Sequence, residues 1–393
     1  MKNIGVIFGS RSAEHDISVV TAIGAVINPL KLSNELQTVP IYISKDGSWY
    51  SEPELGTIEF YTSGHVEEKL KKFKKVQLLF DGGLYLIKAG LGSKKTRIDV
   101  AFPATHGTYG EDGSLMGLLR MADVPFVGSD MTASAISMDK VFTKDIALAA
   151  GCPTPKYVWF TKEDFSENKK AQLDRMNKLK YPVFVKPSHL GSSIGLTQVK
   201  KESELENAIE VALHYDDKVL VEEAVHNMIE VTLPIMGNQE LTPALLEQPI
   251  LKKGKEFDFT SKYLQGGGKK GGKMVGKMSA NMEGEASSQG YSKIPAEVPK
   301  DLYDQSVEVA LKAFKAVGCE GFARVDLMID SKAKKVFFIE INPLPGQLYN
   351  HNWRKAGISP LELVEKLIGL AEERYQREKQ FTTTFDSNFL SQF

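Results

Sequence analysis

Cysteine is nearly absent from the 393-residue sequence, which carries only Cys152 and Cys319. That excludes a disulfide framework and a cysteine-rich metal cluster, and each cysteine follows a glycine where it reads as a small packing residue. Net charge is missing too: 49 basic against 50 acidic side chains leave −1. No global field draws the chain to nucleic acid or anionic lipid, so any charge that matters is local. No apolar run approaches the ~18 residues of a membrane span, and the opening MKNIGVIFGSRSAEHD is too broken for a signal segment. The expected setting is the cytoplasm. The first strand–turn–helix lacks G-x-G-x-x-G, which removes the dinucleotide fingerprint, and no internal repeat occurs. What remains, 42% hydrophobic and 25% charged, is the composition of a soluble globular protein long enough for two or three domains.

The pattern is α/β. Asn3 to Phe8 is an apolar, β-rich run stopped by Gly9-Ser10, and Ser18 to Ile27 is compatible with helix. A second unit runs from Ile98–Phe102 through the loop ATHGTYGEDG into a helix over Ser114–Met121. Both polar, glycine-bearing loops sit at the carboxyl ends of strands, where open α/β sheets bind ligands. Val124–Ser129 reads as a further strand and exit, closing a first domain near residue 130. Helices are expected over Ser137–Ala150, around Gln172–Leu179, and over Glu202–Leu213, Pro299–Val317 and Pro360–Lys379. Strands are expected over Tyr157–Phe160, Val183–Lys186 and Lys218–Val221 and near Ile229–Ile235.

FARVDLMID and VFFIEIN alternate with period 2 and should pair as a hairpin. With a five-residue loop centred on Ala333, Asp326 opposes Glu340 and Arg324 opposes Asn342, all on one face. Val325, Leu327, Ile339 and Ile341 then point into a core. Two facing carboxylates repel unless a cation intervenes, and hard oxygen donors suit Mg²⁺ or Mn²⁺ bound together with phosphates. A solvated outer face with an Arg–Asp pair would show the same pattern.

Phosphate-binding candidates are weaker. Lys186 ends a buried strand and precedes Ser188–Gly195, a Gly/Ser loop suited to phosphate oxygens or simply a surface turn. Lys140 opens a helix, and Glu222, Glu223 and Glu230 are carboxylates suited to ribose or amino groups. Leu251–Lys277 holds eight lysines against one Glu and one Asp. Gly271-x4-Gly276-Lys277 is not a P-loop, because Met278 replaces the Ser/Thr and no apolar strand precedes it. The segment reads as a lid over a polyphosphate, anchored by FDFTSKY, or as a nucleic-acid tether.

In order along the chain, GSRSAEHDIS, HGTYGEDGSLMGLL, GSDMTASAISMDKVFTK, VFVKPSHLGSSIGL, VEEAVHNMIEV, FDFTSKY, FARVDLMID and EINPLPG resemble the segments of the D-alanine–D-alanine ligase family. The likeness runs from residue 3 to about 372. It implies a three-domain ATP-grasp fold with an N-terminal Rossmann-like (pre-ATP-grasp) domain over 1–130. Central and C-terminal ATP-grasp subdomains would follow over 131–240 and 241–375, with a tail over 376–393. The implied enzyme is an ADP-forming ligase of peptidoglycan precursor synthesis, a homodimer that uses ATP, two Mg²⁺ (or Mn²⁺) and two D-amino acids, with no nucleic acid or membrane partner. On matching positions, Lys140 and Lys186 would hold ATP phosphates, with Ser193 beside them. Glu222, Glu223 and Ala224 would face adenine, and Glu230 the ribose. Asp326, Glu340 and Asn342 would bind metal. Arg324 and the Gly346 N–H would stabilise the tetrahedral intermediate. Glu14 would hold the first substrate's ammonium, with His106 beside its carboxylate. Ser192 and Tyr263 would join Glu14 in fastening the lid, with Lys262 near the γ-phosphate.

Two stretches depart from the family. Where the family carries M-T-x-x-S, this chain has Gln347–His351, so His351 stands where a serine grips the second substrate's carboxylate, and Pro343 replaces a threonine. His351 or Asn350 would then bind the acceptor, or the acceptor is not D-alanine and the enzyme is a D-alanine–X dipeptide or depsipeptide ligase. Tyr263 favours an amine acceptor. The lid, LQGGGKKGGKMVGK, is unusually rich in glycine and lysine. A rival of another class is a non-catalytic nucleotide-binding protein whose cationic segment meets nucleic acid. The tail spaces Phe381, Phe385, Phe389 and Phe393 as on one helix face, expected to dock on its own chain or a dimer mate.

Overall fold

The computed structural model describes residues 1–88, 90, 95–191, 194–250 and 292–393. The first region is a four-stranded sheet in the order Trp49–Tyr50, Leu36–Ile43, Lys2–Gly9, Val100–Pro103, parallel apart from the short edge strand. Lys2–Gly9 is buried on both faces from Ile4 onward, which is why it reads as a continuous apolar run. Its helix starts earlier than its apolar pattern suggests, at His15, and widens into a π-helix over Ala22–Ile27. The Ser114–Met121 helix matches its expected bounds. The strand expected over Val124–Ser129 shrinks to one bridge, Ala101 to Phe126. Pro125 has no N–H to donate, and Gly128 at φ +99 turns the chain away.

The helix expected over Ser137–Ala150 is two helices, Met131–Met138 and Lys140–Ala149. Asp139 breaks them: its backbone is extended and its carboxylate accepts from the N–H groups of Val141 and Phe142. Likewise the helix expected at Gln172–Leu179 spans Lys169–Met176, set by the Asn168 cap. The central antiparallel sheet runs Thr197–Val199, Val183–Pro187, Lys218–Glu223, Tyr157–Thr161. A third sheet, also antiparallel, runs Leu241–Pro243, Met228–Gly237, Gly321–Asp330, Lys335–Asn342.

Apolar side chains gather in three clusters. One joins Ile4, Phe8 and Phe102 of the first sheet to Trp353, Leu363 and Leu367, so the last helix, Pro360–Glu378, closes the N-terminal core. Arg374, buried on that helix, donates to the carbonyls of Gly128 and Phe126 and fixes the junction. The second cluster centres on Phe314, Val325 and Phe338, and the third on Phe160, Val185 and Val221. The phenylalanine tail does not form the expected helix. Residues 382–388 are extended or irregular, Phe389–Gln392 makes a short 3₁₀ turn, and Phe381, Phe385, Phe389 and Phe393 are all exposed. Apart from the contact of Phe389 with Phe393, they pack on no apolar cluster among the described residues, so little offsets the entropy of ordering a helix.

Candidate functional site

The long hairpin places its polar face as period 2 requires. Asp326 pairs with Glu340, and Arg324 with Asn342. The loop is one residue shorter than expected: Asp330 pairs with Lys335, leaving 331–334 outside the ladder. A bulge between Asp326 and Leu327 restores the register, so Leu327 faces Phe338. Phe338 joins the core alongside Ile341, while Ile339, although buried, sits at the bulge outside that cluster. Arg324 grips Asp326 with two parallel bonds of 2.6 Å, and Asn342 Nδ2 donates to the same carboxylate at 3.1 Å. Burial works against the Arg324 charge, but Asp326 and Glu340 outweigh it and hold the guanidinium protonated. The Glu340 charge acts on Lys144 as well as on Arg324.

Lys144 was not anticipated. It lies one helical turn after Lys140 and is wholly buried, with Nζ 2.9 Å from Glu222 Oε2. Lys186 pairs with the other oxygen of the same carboxylate. Burial opposes ionisation of Glu222, but the two ammonium groups prevail and hold it well below the usual carboxylate range. Two lysines therefore hold one carboxylate; burial pushes the Lys144 pKa down, and Glu222 works against that shift. Lys140 Nζ donates to the Leu190 carbonyl at 2.6 Å, at the start of the Gly/Ser loop. Glu223 ends the Lys218–Glu223 strand and accepts from Lys180 N–H at 3.0 Å; the Ala224 N–H donates to Pro182 O. Glu230 stands half-buried on the next strand, opposite Met328.

Asp139 anchors a second polar cluster. It accepts from Ser188 Oγ at 2.8 Å and Lys218 Nζ at 2.7 Å, and His189 bridges it to Asp216. Hydrogen bonds to Asp139 and then Asp216 raise the His189 pKa to about 9.

On the N-terminal side three loops meet at Glu14. A methyl on Gly107 would fall 2.8 Å from Glu14 Oε2, and one on Gly191 3.5 Å from it. His106, almost fully buried, has Nε2 2.9 Å from Thr21 Oγ1, and Thr21 also accepts from the Gln347 N–H at 3.1 Å. Gly346 opens the turn that follows Asn342-Pro343-Leu344-Pro345, and a methyl there would meet nothing within 4 Å. Beyond it, Tyr349 lies under the Arg324 guanidinium and His351 packs on the Tyr349 ring. His351 Nε2 sits 2.9 and 3.1 Å from the oxygens of buried Glu247. Asn350 Oδ1 is buried with no hydrogen-bond partner among the described residues.

Thr21, Lys144, Asp139, His189 and Glu247 are the residues sequence reasoning passed over as site members. A helical spacing was available for two: Thr21 is seven residues after Glu14, and Lys144 four after Lys140. Ser192, Ser193, Lys262, Tyr263 and the lid lie outside the described residues.

A lysine pocket beside a hairpin of hard oxygen donors, carried on two antiparallel sheets behind an α/β domain, defines an ATP-grasp ligase. Comparison with known proteins gives the family. Residues 3–129 match the D-ala D-ala ligase N-terminus, and residues 146–289 and 277–369 match its C-terminus. The chain is 35% identical to a D-alanine--D-alanine ligase of Acetivibrio thermocellus, covering 95% of this chain and 96% of that one. It is 34% identical to that of Chloroherpeton thalassium, covering 96% and 98%. Among solved structures it is similar to the VanG D-Ala:D-Ser ligase from Enterococcus faecalis, with a TM-score of 0.76, 31% identity and coverage of 94% and 99%. It is also similar to the D-alanine-D-alanine ligase from Coxiella burnetii, with a TM-score of 0.76, 26% identity and 96% of each chain covered. The chain belongs to the D-alanine–D-alanine ligase family.

Proposed function

We propose that this protein joins two molecules of D-alanine at the expense of ATP. A carboxylate oxygen of the first D-alanine attacks the γ-phosphorus and ADP leaves. The amine of the second then attacks the acyl carbon of the D-alanyl phosphate, a C–N bond forms, the amine gives up a proton, and phosphate departs. The observation that carries the reading is Glu340. It faces Asp326, the partner of Arg324, the group suited to a tetrahedral oxyanion, and its strand packs on the helix that carries Lys140 and Lys144, so the two halves of the chemistry are brought together. Lys140, Lys144 and Lys186 supply positive charge for a polyphosphate, and Glu14 and His106 receive the ammonium and carboxylate of the first substrate. Ser192, Ser193, Lys262 and Tyr263 belong to the same assignment through the family, as lid fastening and phosphate contacts, and Glu222, Glu223, Ala224 and Glu230 as the adenosine side.

Asp326, Glu340 and Asn342 fit two Mg²⁺ or Mn²⁺: all three offer hard oxygens on one face of the hairpin. Such ions, when bound, would screen the charge of the polyphosphate. We keep division near residues 130 and 240 as part of the proposal, although part of the 241–375 segment returns to the first core and Ala133, Ala147, Cys152, Val231, Leu233 and Ile235 pack with the C-terminal cluster. The setting we propose is cytoplasmic, where ATP is held, at the peptidoglycan precursor step, as a homodimer with neither nucleic acid nor membrane as partner. Among the described residues no helix is long and apolar enough to cross a membrane.

A second reading concerns the acceptor. Glu247 is held below the usual carboxylate range; burial opposes this, but the hydrogen bond from His351 prevails. An ionised Glu247 only accepts, so His351 carries its proton on Nε2. The other ring nitrogen has no hydrogen bond among the described residues and is left for the second amino acid. That suits a hydroxyl on the second amino acid, as in D-serine. ADP release from ATP and Mg²⁺ that depends on D-alanine tests the ligase reading, and its absence overturns it. Mass spectrometry of products from a panel of D-amino and D-hydroxy acids identifies the acceptor.

A further inference from the structure

We infer that Thr21 is a positioning residue. One hydroxyl fixes which nitrogen of His106 carries the proton and pins the backbone that follows Gly346. This rests on the reading above, in which His106 meets the first substrate's carboxylate and Gly346 the tetrahedral intermediate.

Thr21 is 1% exposed, so its hydroxyl must be satisfied within the protein. Two groups reach it: the Gln347 N–H, which can only donate, and His106 Nε2. No acceptor for the Thr21 proton occurs among the described residues other than that ring nitrogen. The hydroxyl therefore accepts from Gln347 and donates to Nε2, and His106 is the Nδ1–H tautomer. Nδ1 lies 4.0 Å from Glu111 Oε1, beyond hydrogen-bond length, while the Gly107 N–H holds the other Glu111 oxygen at 2.7 Å. The Nδ1–H is thereby available as a donor to a carboxylate. In the opposite tautomer Nδ1 would be a lone pair, which repels one.

The second bond has its own reason. Gln347, Leu348 and Tyr349 have φ values of 52, 51 and 54, three consecutive left-handed residues without a glycine. Each costs about 1–2 kcal/mol and persists only if its surroundings enforce it. The enforcing contacts are visible: Thr21 takes the Gln347 N–H, the buried Leu348 donates its N–H to Pro345 O, and Tyr349 lies beneath Arg324. The helix cooperates. It widens to a π-turn directly after Thr21, and a Cβ on Gly24 would come within 3.0 Å of the Gln347 side-chain oxygen. One helical turn thus ties the carboxylate end of the first-substrate site to the turn that begins at Gly346.

The test compares Thr21→Val, which keeps the shape and loses the hydroxyl, with Thr21→Ser, which keeps the hydroxyl. Imidazole ¹⁵N shifts, with His106→Gln used for assignment, should show Nδ1–H in the wild-type and Ser proteins and a changed or mixed tautomer in Val. Thr21→Val should lower kcat/KM for the first D-alanine by tenfold or more, leave the KM for ATP within twofold, and be rescued by Ser. A wild-type His106 with its proton on Nε2 overturns the inference, whether or not the Val variant folds. So does a Val variant whose tautomer and kcat/KM match the wild type. If the wild-type protein shows no D-alanine-dependent ADP release, the ligase reading falls, and the NMR comparison alone decides the role of Thr21.

Discussion

Lys144 Nζ lies 2.9 Å from Glu222 Oε2 with the two side chains 1% and 3% exposed, and Lys186 holds the other carboxylate oxygen. The three charges are unequal in what their loss would do. Removing Glu222 leaves two ammonium groups side by side, one of them wholly buried, and breaking such an arrangement costs about 3–5 kcal/mol. Replacing Lys144 by an apolar chain of similar length leaves the Lys186–Glu222 pair in place, and the loss is smaller because the buried carboxylate keeps one cation. Urea denaturation should therefore rank Glu222→Gln as far less stable than Lys144→Met. Equal losses would mean that the carboxylate does not serve both lysines.

The His189 cluster makes stability depend on pH. Hydrogen bonds to Asp139 and Asp216 raise its pKa from 6.5 to about 9, with Lys218 and Ser188 also facing Asp139. Because the folded-state value is the higher one, the stabilisation is complete below about pH 6.5 and is lost as pH rises through 9. The ring is 40% exposed and solvent screens much of the interaction, so about 1 kcal/mol is expected rather than the full shift. Unfolding midpoints at pH 6.5 and 9.5 should converge between wild type and His189→Asn at the higher value. A gap of constant size would refute the assignment.

Much of this was legible before folding, where one period governs the outcome. Alternation along 321–342 dictates which residues share a face, and the four polar groups of the hairpin follow from it even though the loop length was misjudged. The bulge near Ile339 absorbs that error locally, because a core on the other face tolerates no slip of register. The roles of Thr21, Lys144 and Glu247 were illegible for a different reason, although helical spacing offered the positions of the first two. Each acquires its role from a partner 78 or more positions away: His106 and Gln347 for Thr21, Glu222 for Lys144, His351 for Glu247. A lysine one turn along a helix reads as solvated until the strand that buries it is known. Asp139, too, reads as helix interior in the sequence, whereas its extended backbone makes it a cap that begins a new helix at Lys140.

Glu340→Gln keeps the shape and removes one charge from the hairpin face. We expect the Mg²⁺ needed for half-maximal activity to rise on the order of 10- to 100-fold, with turnover falling at saturating ATP. The thermal midpoint should move by no more than a few degrees, since Glu340 stands outside the apolar clusters. Unchanged metal dependence would remove Glu340 from the ion-binding set.

The acceptor end offers the sharpest discrimination. His351 donates its Nε2–H to Glu247, so only Nδ1 is left to meet the second amino acid. A hydroxyl would gain one hydrogen bond there, worth about 1 kcal/mol, and a methyl would gain none. His351→Ala should therefore lower kcat/KM for D-serine as second substrate about fivefold more than for D-alanine. Glu247→Gln should leave most of that preference in place, because an amide can reverse the tautomer but a hydroxyl pairs with Nδ1 as donor or as acceptor. The KM of the first D-alanine should stay within twofold in both variants, since Glu14 and His106 belong to other loops. Parallel losses for the two acceptors would show that His351 supports the turn at Tyr349 without reading the substrate.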